Sequence, residues 1–261
     1  MQDEYASSAK FYDGAYSVKL DLQDLPFYRD LAKRYSGPIL EIACGTGRIS
    51  IPLARDGHQI TGLDRSTAML DVFKKSLAHE PSEIQARVDL TTGDMRDFDL
   101  GKEFPLIIIP FRPIQHLYTV EDQVAALKSA ARHLSPQGVF AFDVFFPRLD
   151  VISSGVGTEN FELEWTNPEN EQQKIRRYFR KDFFDKINQN FGGKFIYRTY
   201  QGEKQIAEEM WDLKMSFYTY PHLRALFELA GLKIHEEYGT YDKGPMDNEA
   251  NQMIFVLRHK S

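Results

Sequence analysis

The chain has 261 residues, of which 42% are hydrophobic and 27% charged, and a formal net charge of −6. That length suits one α/β domain carrying an insertion, and the composition is that of a soluble globular protein. The acidic balance argues against a general nucleic-acid binder. Cys44 is the only cysteine, which excludes an internal disulfide and fits a reducing cytoplasm. Residues Met1 to Tyr5 carry neither a basic nor an apolar segment, so no export signal is visible. The longest apolar run, around Leu106 to Phe111, is too short to cross a bilayer.

In chain order, residues 1–36 read as an N-terminal helical lid. Strands and helices then alternate. Pro38 to Ala43 is predicted as a strand, Gly47 to Arg55 as a helix ended near Gly57, and Gln59 to Asp64 as the next strand. Ser66 can cap a helix running to His79, because its hydroxyl can accept from an orphan N–H of the first turn. Val88 to Thr92 and Leu106 to Pro110 follow as strands, Val120 to Leu134 as a helix and Gly138 to Val144 as a fifth strand. Runs such as Leu106-Ile107-Ile108-Ile109 suit strands buried on both faces of a parallel sheet. The rhythm returns at the end with a helix at Pro221 to Ala230 and strands at Lys233 to Tyr238 and Gln252 to Arg258.

Between about residues 150 and 216 polar and apolar residues alternate, with turn signals that include Asn190-Phe191-Gly192-Gly193, the pattern of an antiparallel β insertion. The stretch Lys174 to Lys204 is rich in Lys and Arg with aromatics between them. Three readings compete: a solvated sheet face, a substrate lid or homodimer contact, and an RNA contact in which Tyr178, Phe179, Phe183, Phe184, Tyr197 and Tyr200 would stack on bases.

The chemistry concentrates at Ile39 to Arg48, Ile-Leu-Glu-Ile-Ala-Cys-Gly-Thr-Gly-Arg, an apolar strand entering a glycine turn and then a helix. Gly45 and Gly47 lack the Cβ that would keep the backbone off a ligand. The helix turns its free N–H groups toward the same spot. A second strand ends in Asp64, where a carboxylate can take both hydroxyls of a ribose. The third glycine of a dinucleotide fingerprint would fall on Ser50. Further acids stand at Glu41, inside the first strand, and in Gly93-Asp94-Met95-Arg96 after the third.

With these four ordered motifs the chain resembles the class I S-adenosylmethionine-dependent methyltransferases of small molecules, Ala43 replacing the first glycine of their first motif. The resemblance implies a Rossmann-like, doubly wound, mixed seven-stranded sheet over residues 37–149 and 217–261, interrupted by the β insertion. It also implies S-adenosylmethionine as cofactor. Glu41, Ala43, Cys44, Gly45, Thr46 and Gly47 would lie under its methionine part, Asp64 would hold the ribose, and Asp94 and Met95 would meet the adenine. Arg65 and Met69 would flank the adenosine, Phe111 would complete the cofactor site, and Tyr12, with Tyr16 second, would cap the carboxylate. Aspartates are also favoured as caps and turn formers.

Methyl transfer requires a nucleophile held in line with the S–CH₃ bond, which alone can supply roughly 7–11 kcal/mol of the barrier. A base that removes the acceptor's proton adds about 10²–10⁴-fold. His116, in Phe111-Arg112-Pro113-Ile114-Gln115-His116, follows the fourth strand at the carboxyl edge of the sheet and is the candidate base; aminosugar N-methyltransferases, which the chain resembles here, carry a matching histidine. Tyr16, Arg112, Tyr238 and Tyr241 are candidate acceptor contacts, and no metal spacing appears. The expected acceptor is a small molecule reached through nitrogen or oxygen. An RNA-modifying methyltransferase and a non-catalytic cofactor-binding protein are the alternatives.

Overall fold

The computed structural model describes residues 24–260, which form two compact units, one of residues 24–146 and 218–260 and the other of residues 147–217. The larger unit is built on a seven-stranded sheet with strand order β10-β11-β5-β4-β1-β2-β3. Its strands are β1 (Ile39–Ile42), β2 (Ile60–Asp64), β3 (Val88–Thr92), β4 (Phe104–Ile109), β5 (Leu134–Phe145), β10 (Leu232–Tyr238) and β11 (Gln252–His259). β3, β2, β1, β4 and β5 run parallel, whereas β11 pairs antiparallel with both β5 and β10. The sheet is therefore mixed and doubly wound, and its order reverses between β1 and β4. Ligands of such sheets bind in the crevice at that reversal, off the carboxyl ends of the strands.

β4 shows why the fold forms. Its four consecutive apolar residues divide between two cores: Ile107 and Ile109 pack with Phe142, Phe227 and Phe255, while Leu106 and Ile108 pack on the opposite face with Phe27, Tyr28 and Ile254. Helices α5 (Val120–Arg132) and α7 (Tyr220–Leu229) cover the first face, and α1 (Asp24–Arg34) and α2 (Ser50–Arg55) cover the second. The sequence states the helix starts well. The Ser66 hydroxyl accepts from the Met69 amide at the head of α3 (Thr67–Leu77), and Thr119 does the same for Asp122 at the head of α5. Two pieces were not expected, the short α4 (Ser82–Gln85) and α6 (Leu149–Ser153), too brief to show a hydrophobic period.

The second unit holds an antiparallel sheet of β6 (Glu159–Asn167), β7 (Asn170–Asp185), β8 (Asn190–Gln201) and β9 (Lys204–Ser216) in sequence order. Asn190-Phe191-Gly192-Gly193, expected to turn, instead begins β8; the reversal lies just before it, at 186–189. Its glycines serve close strand packing: a Cβ on Gly193 would stand 1.9 Å from the Arg180 carbonyl oxygen, and one on Gly192 would meet the Leu213 carbonyl at 2.5 Å.

Cross-strand register neutralises the basic run. Arg198 binds Glu159 and Glu208, Glu164 takes both Lys174 and Arg176, and Lys194 meets Asp212. Arg176 and Arg198 also lie over Tyr200 and Tyr178, at 4.5 and 4.6 Å from the ring centroids. Lys181 donates to the carbonyls of Val151, Ile152 and Ser154 at 2.8, 2.8 and 2.6 Å, tying the end of α6 to β7. Trp165, Ile175 and Tyr197 form a buried cluster with Leu163, Phe195 and Trp211 packed on it.

Candidate functional site

The turn after β1 uses left-handed backbone three times, at Ala43 (φ 57°), Gly45 (φ 55°) and Gly47 (φ 87°). The two glycines are required for different reasons. A Cβ on Gly47 would sit 2.4 Å from the buried Phe73 ring, so this position is needed for packing α3 against the turn. Among the described residues a Cβ on Gly45 would meet nothing within 4 Å, so they leave its backbone open to a ligand. The amide of Gly45 donates to Asp64 Oδ2 at 2.8 Å, and the Ser66 amide donates to Oδ1 at 2.8 Å. Asp64 thereby links the turn to the tip of β2.

Beneath the turn, Glu41 is buried in β1 and accepts from the Ser50 hydroxyl of α2. Burial pushes its carboxyl up to about 8, against the opposing effects of that hydrogen bond and of Arg48. Arg48, immediately after Gly47, makes a two-pronged pair with the fully buried Asp24 of α1, at 2.8 and 2.6 Å. Neither Arg48 nor Asp24 was identified from sequence. The arginine follows the glycine motif directly, but its partner lies 24 residues upstream. Cys44 and Thr46 are buried in the turn, and burial pushes the Cys44 thiol up, so it is an unreactive packing group.

At the tip of β3, Asp94 forms a turn with Arg96, accepting its backbone amide and two of its guanidinium nitrogens; Arg96 also reaches Asp122. The hydrogen bond from Arg96 holds the Asp94 carboxyl below its usual range. Met95 packs against the main core beside it. Arg65 is exposed, whereas the Met69 side chain is buried.

After β4 the chain makes an elbow. Phe111 and Arg112 both take left-handed φ, 65° and 72°, and lead into a single 3₁₀ turn, Pro113–His116. Three bonds from elsewhere in the fold hold it. Asp143 of β5 accepts the Phe111 amide at 2.8 Å, Gln115 Oε1 accepts the Phe145 amide at 3.2 Å, and the Tyr218 hydroxyl donates to the Ile114 carbonyl at 2.9 Å. His116 closes the turn, half-buried. The Phe111 ring lies between two guanidiniums, Arg48 at 5.2 Å and Arg112 at 5.7 Å. Arg112 faces the buried Asp143 rather than forming a surface ion pair. Tyr28 donates to Asp143, which also pushes the Tyr241 hydroxyl up, after burial as the larger cause. Asp143 was missed in the sequence, although a lone acid in the apolar run Val139 to Val144 is the same signal that marks Glu41.

Tyr238 and Tyr241 both pack on Phe27; Tyr241 turns to Asp143, and Tyr238 to Glu236. The candidates Tyr12 and Tyr16 lie outside the described residues. Among the described residues no group of His, Cys, Asp or Glu could hold a metal ion, and no helix is long and apolar enough to cross a membrane.

Open space at Gly45, a carboxylate at the tip of β2 and a second acid at the tip of β3 fit the parts of S-adenosylmethionine. Residues 39–138 match the family model of the methyltransferase domain. A Streptomyces venezuelae relative, dTDP-3-amino-3,4,6-trideoxy-alpha-D-glucopyranose N,N-dimethyltransferase, is 36% identical over 101 residues, which are 39% of this chain and 39% of that one. The chain thus spans about two-fifths of that relative's length. A cypemycin N-terminal methyltransferase of Streptomyces is 21% identical over 85% of this chain and 83% of its own. Among solved structures, an S-adenosylmethionine-dependent methyltransferase from Clostridium acetobutylicum superposes with a TM-score of 0.78 at 16% identity, covering 98% of this chain and 99% of that one. The chain thus carries, over residues 39–138, a methyltransferase domain, and its mixed sheet has the fold of that Clostridium acetobutylicum structure.

Proposed function

We propose that this protein transfers a methyl group from S-adenosylmethionine to a nitrogen or oxygen of a small molecule, with an amine as the favoured acceptor. The observation that carries the reading is the glycine turn: among the described residues nothing stands within 4 Å of where a Gly45 side chain would begin, and its amide is joined to Asp64 at the tip of the neighbouring strand. The amine preference rests on the two relatives, whose names place their methyl groups on the nitrogen of an amino sugar and at the N-terminus of cypemycin.

Gly45 and Asp64 would hold the ribosyl and methionyl parts, Asp94 and Met95 the adenine, and the Phe111 ring would border the transfer site. When bound, the cofactor supplies a methyl group on a positively charged sulfur. The chain's own part is to orient the acceptor, exclude water and take up the acceptor's proton, the role assigned to His116 on the elbow. Tyr12, Tyr16, Arg112, Tyr238 and Tyr241 are the proposed acceptor and carboxylate contacts. The paired charges of the second unit support a protein that does not bind nucleic acid. The exposed Phe161, Ile206 and Met210 on its strands support a homodimer through that sheet. Cys44, a buried free thiol, is compatible with the cytoplasm.

Calorimetry with S-adenosylhomocysteine tests the cofactor, and transfer of labelled methyl to the dTDP-linked 3-amino sugar, to peptide N-termini and to simple amines and phenols tests the acceptor. Binding that falls at least about tenfold in Asp64→Ala, the loss expected of hydrogen bonds to a charged group, supports the assignment. A folded protein that binds no S-adenosylhomocysteine would end it.

A further inference from the structure

Asp143 is fully buried, and its surroundings show what holds the elbow. Oδ1 accepts from the Phe111 amide at 2.8 Å and from the Tyr28 hydroxyl at 3.1 Å. Among the described residues Oδ2 has no hydrogen-bond partner and stands 3.9 Å from Arg112 Nε, which is buried and likewise has none. Removing a carboxylate from water is costly unless charge and hydrogen bonds compensate it, and here two hydrogen bonds and a guanidinium do so. What it organises is two successive non-glycine residues in left-handed backbone, a conformation that persists only where the surroundings over-determine it. The Asp143 carboxylate satisfies the first of these residues through its amide and the second through its charge. Arg112 in turn lies over the Phe111 and Phe145 rings, at 5.7 and 5.9 Å. Four residues beyond Arg112 the same segment delivers His116.

We propose that Asp143 is a positioning residue for methyl transfer, holding the elbow, and with it the Phe111 ring and His116, through the Phe111 amide and the Arg112 guanidinium. The proposal rests on the reading of the chain as a methyltransferase. It is specific about charge. An asparagine could still accept the Phe111 amide and the Tyr28 hydroxyl, but could not hold Arg112. Among the described residues the charged and titratable groups around Asp143 are Arg112 on the elbow, Tyr28 and Asp24 on α1, and Tyr241 in the loop after β10.

The test compares Asp143→Asn and Asp143→Ala with the wild type in three measurements. These are hydrogen exchange over residues 110–117, calorimetry with S-adenosylhomocysteine, and transfer kinetics from S-adenosylmethionine to the dTDP-linked 3-amino sugar. We expect exchange over 110–117 to rise about tenfold in the alanine variant and several-fold in the asparagine variant, with β2 unchanged. S-adenosylhomocysteine affinity should stay within about threefold, while kcat falls about tenfold or more in both variants at unchanged KM for S-adenosylmethionine. Unchanged exchange in both variants would overturn the proposal, as would loss of S-adenosylhomocysteine binding in the well-folded asparagine variant, which would place Asp143 in the cofactor site. If the wild type itself bound no S-adenosylhomocysteine, the methyltransferase reading would fall, and the exchange comparison would still decide whether Asp143 holds the elbow.

Discussion

The turn after β1 and the elbow after β4 sit at the carboxyl ends of adjacent strands, and both bend the chain with left-handed backbone. They stabilise it in opposite ways. In the turn, two of the three left-handed positions are glycines, so the conformation is nearly free of strain and announces itself in the sequence. In the elbow both positions are bulky, Phe111 and Arg112, at a cost of roughly 1–2 kcal/mol each. Bonds to Asp143, Phe145 and Tyr218 offset that cost, and their positions relative to the elbow are set by the sheet and by the chain's return at residue 218. A site part that approaches a ligand through its backbone needs glycine, whereas a part that presents side chains cannot use it and must be held from outside.

The sharpest break of the turn is at Gly47. A Cβ there combines left-handed strain with overlap against the buried Phe73 ring, so Gly47→Ala should lose about 2–5 kcal/mol of stability, read as a shift of the urea midpoint. A loss under about 1 kcal/mol would mean that Phe73 moves aside.

Glu41 adds a pH dependence to the turn. Its folded carboxyl is pushed up to about 8 against 4.5 for the free group, so between these values the folded state keeps a proton that the unfolded chain has released. Its contribution is therefore complete below about pH 4.5 and is lost as pH rises through about 8. Glu41→Gln should remove this slope and be more stable than the wild type above pH 8, by about 2–4 kcal/mol. Parallel pH–stability curves for the two proteins would show that Glu41 is already ionised at neutral pH. A cationic cofactor favours the ionised form, so binding at pH 7 should release a proton, seen as a dependence of the calorimetric heat on buffer ionisation enthalpy.

Gly45→Ala separates the two glycines. With no atom of the described residues in the way, the cost is left-handed strain, about 1–2 kcal/mol of stability, while the methyl group enters the space proposed for the cofactor. S-adenosylhomocysteine affinity should drop by roughly an order of magnitude or more, the reverse of the balance expected at Gly47. Retained affinity would place the ligand elsewhere.

The smallest effect sharpens the comparison. Ala43 is the turn's one left-handed position without glycine, so Ala43→Gly should relieve strain but loosen the unfolded chain, a net gain of about 0.5 kcal/mol with unchanged cofactor affinity. A loss of stability would show that the Ala43 methyl group packs better than its backbone suggests.

The sequence alone determined what local chemistry dictates. Apolar runs located the strands, and Val88–Thr92 has the expected ends. Ser66 and Thr119 marked helix starts by the one bond a cap can make. Gly45 and Asp64 stood out as a bare backbone and an acid at successive strand ends, and the structure joins them by a hydrogen bond. What only the tertiary structure decided depends on partners far apart in the chain. Asp24 meets Arg48, Asp143 meets Phe111, and Glu159 and Glu208 neutralise an arginine that looked like part of a basic surface. Asn190 to Gly193 carried turn residues yet became a strand, since in β8 the glycines are demanded by the closeness of β7 and β9, a constraint that no neighbour in sequence expresses.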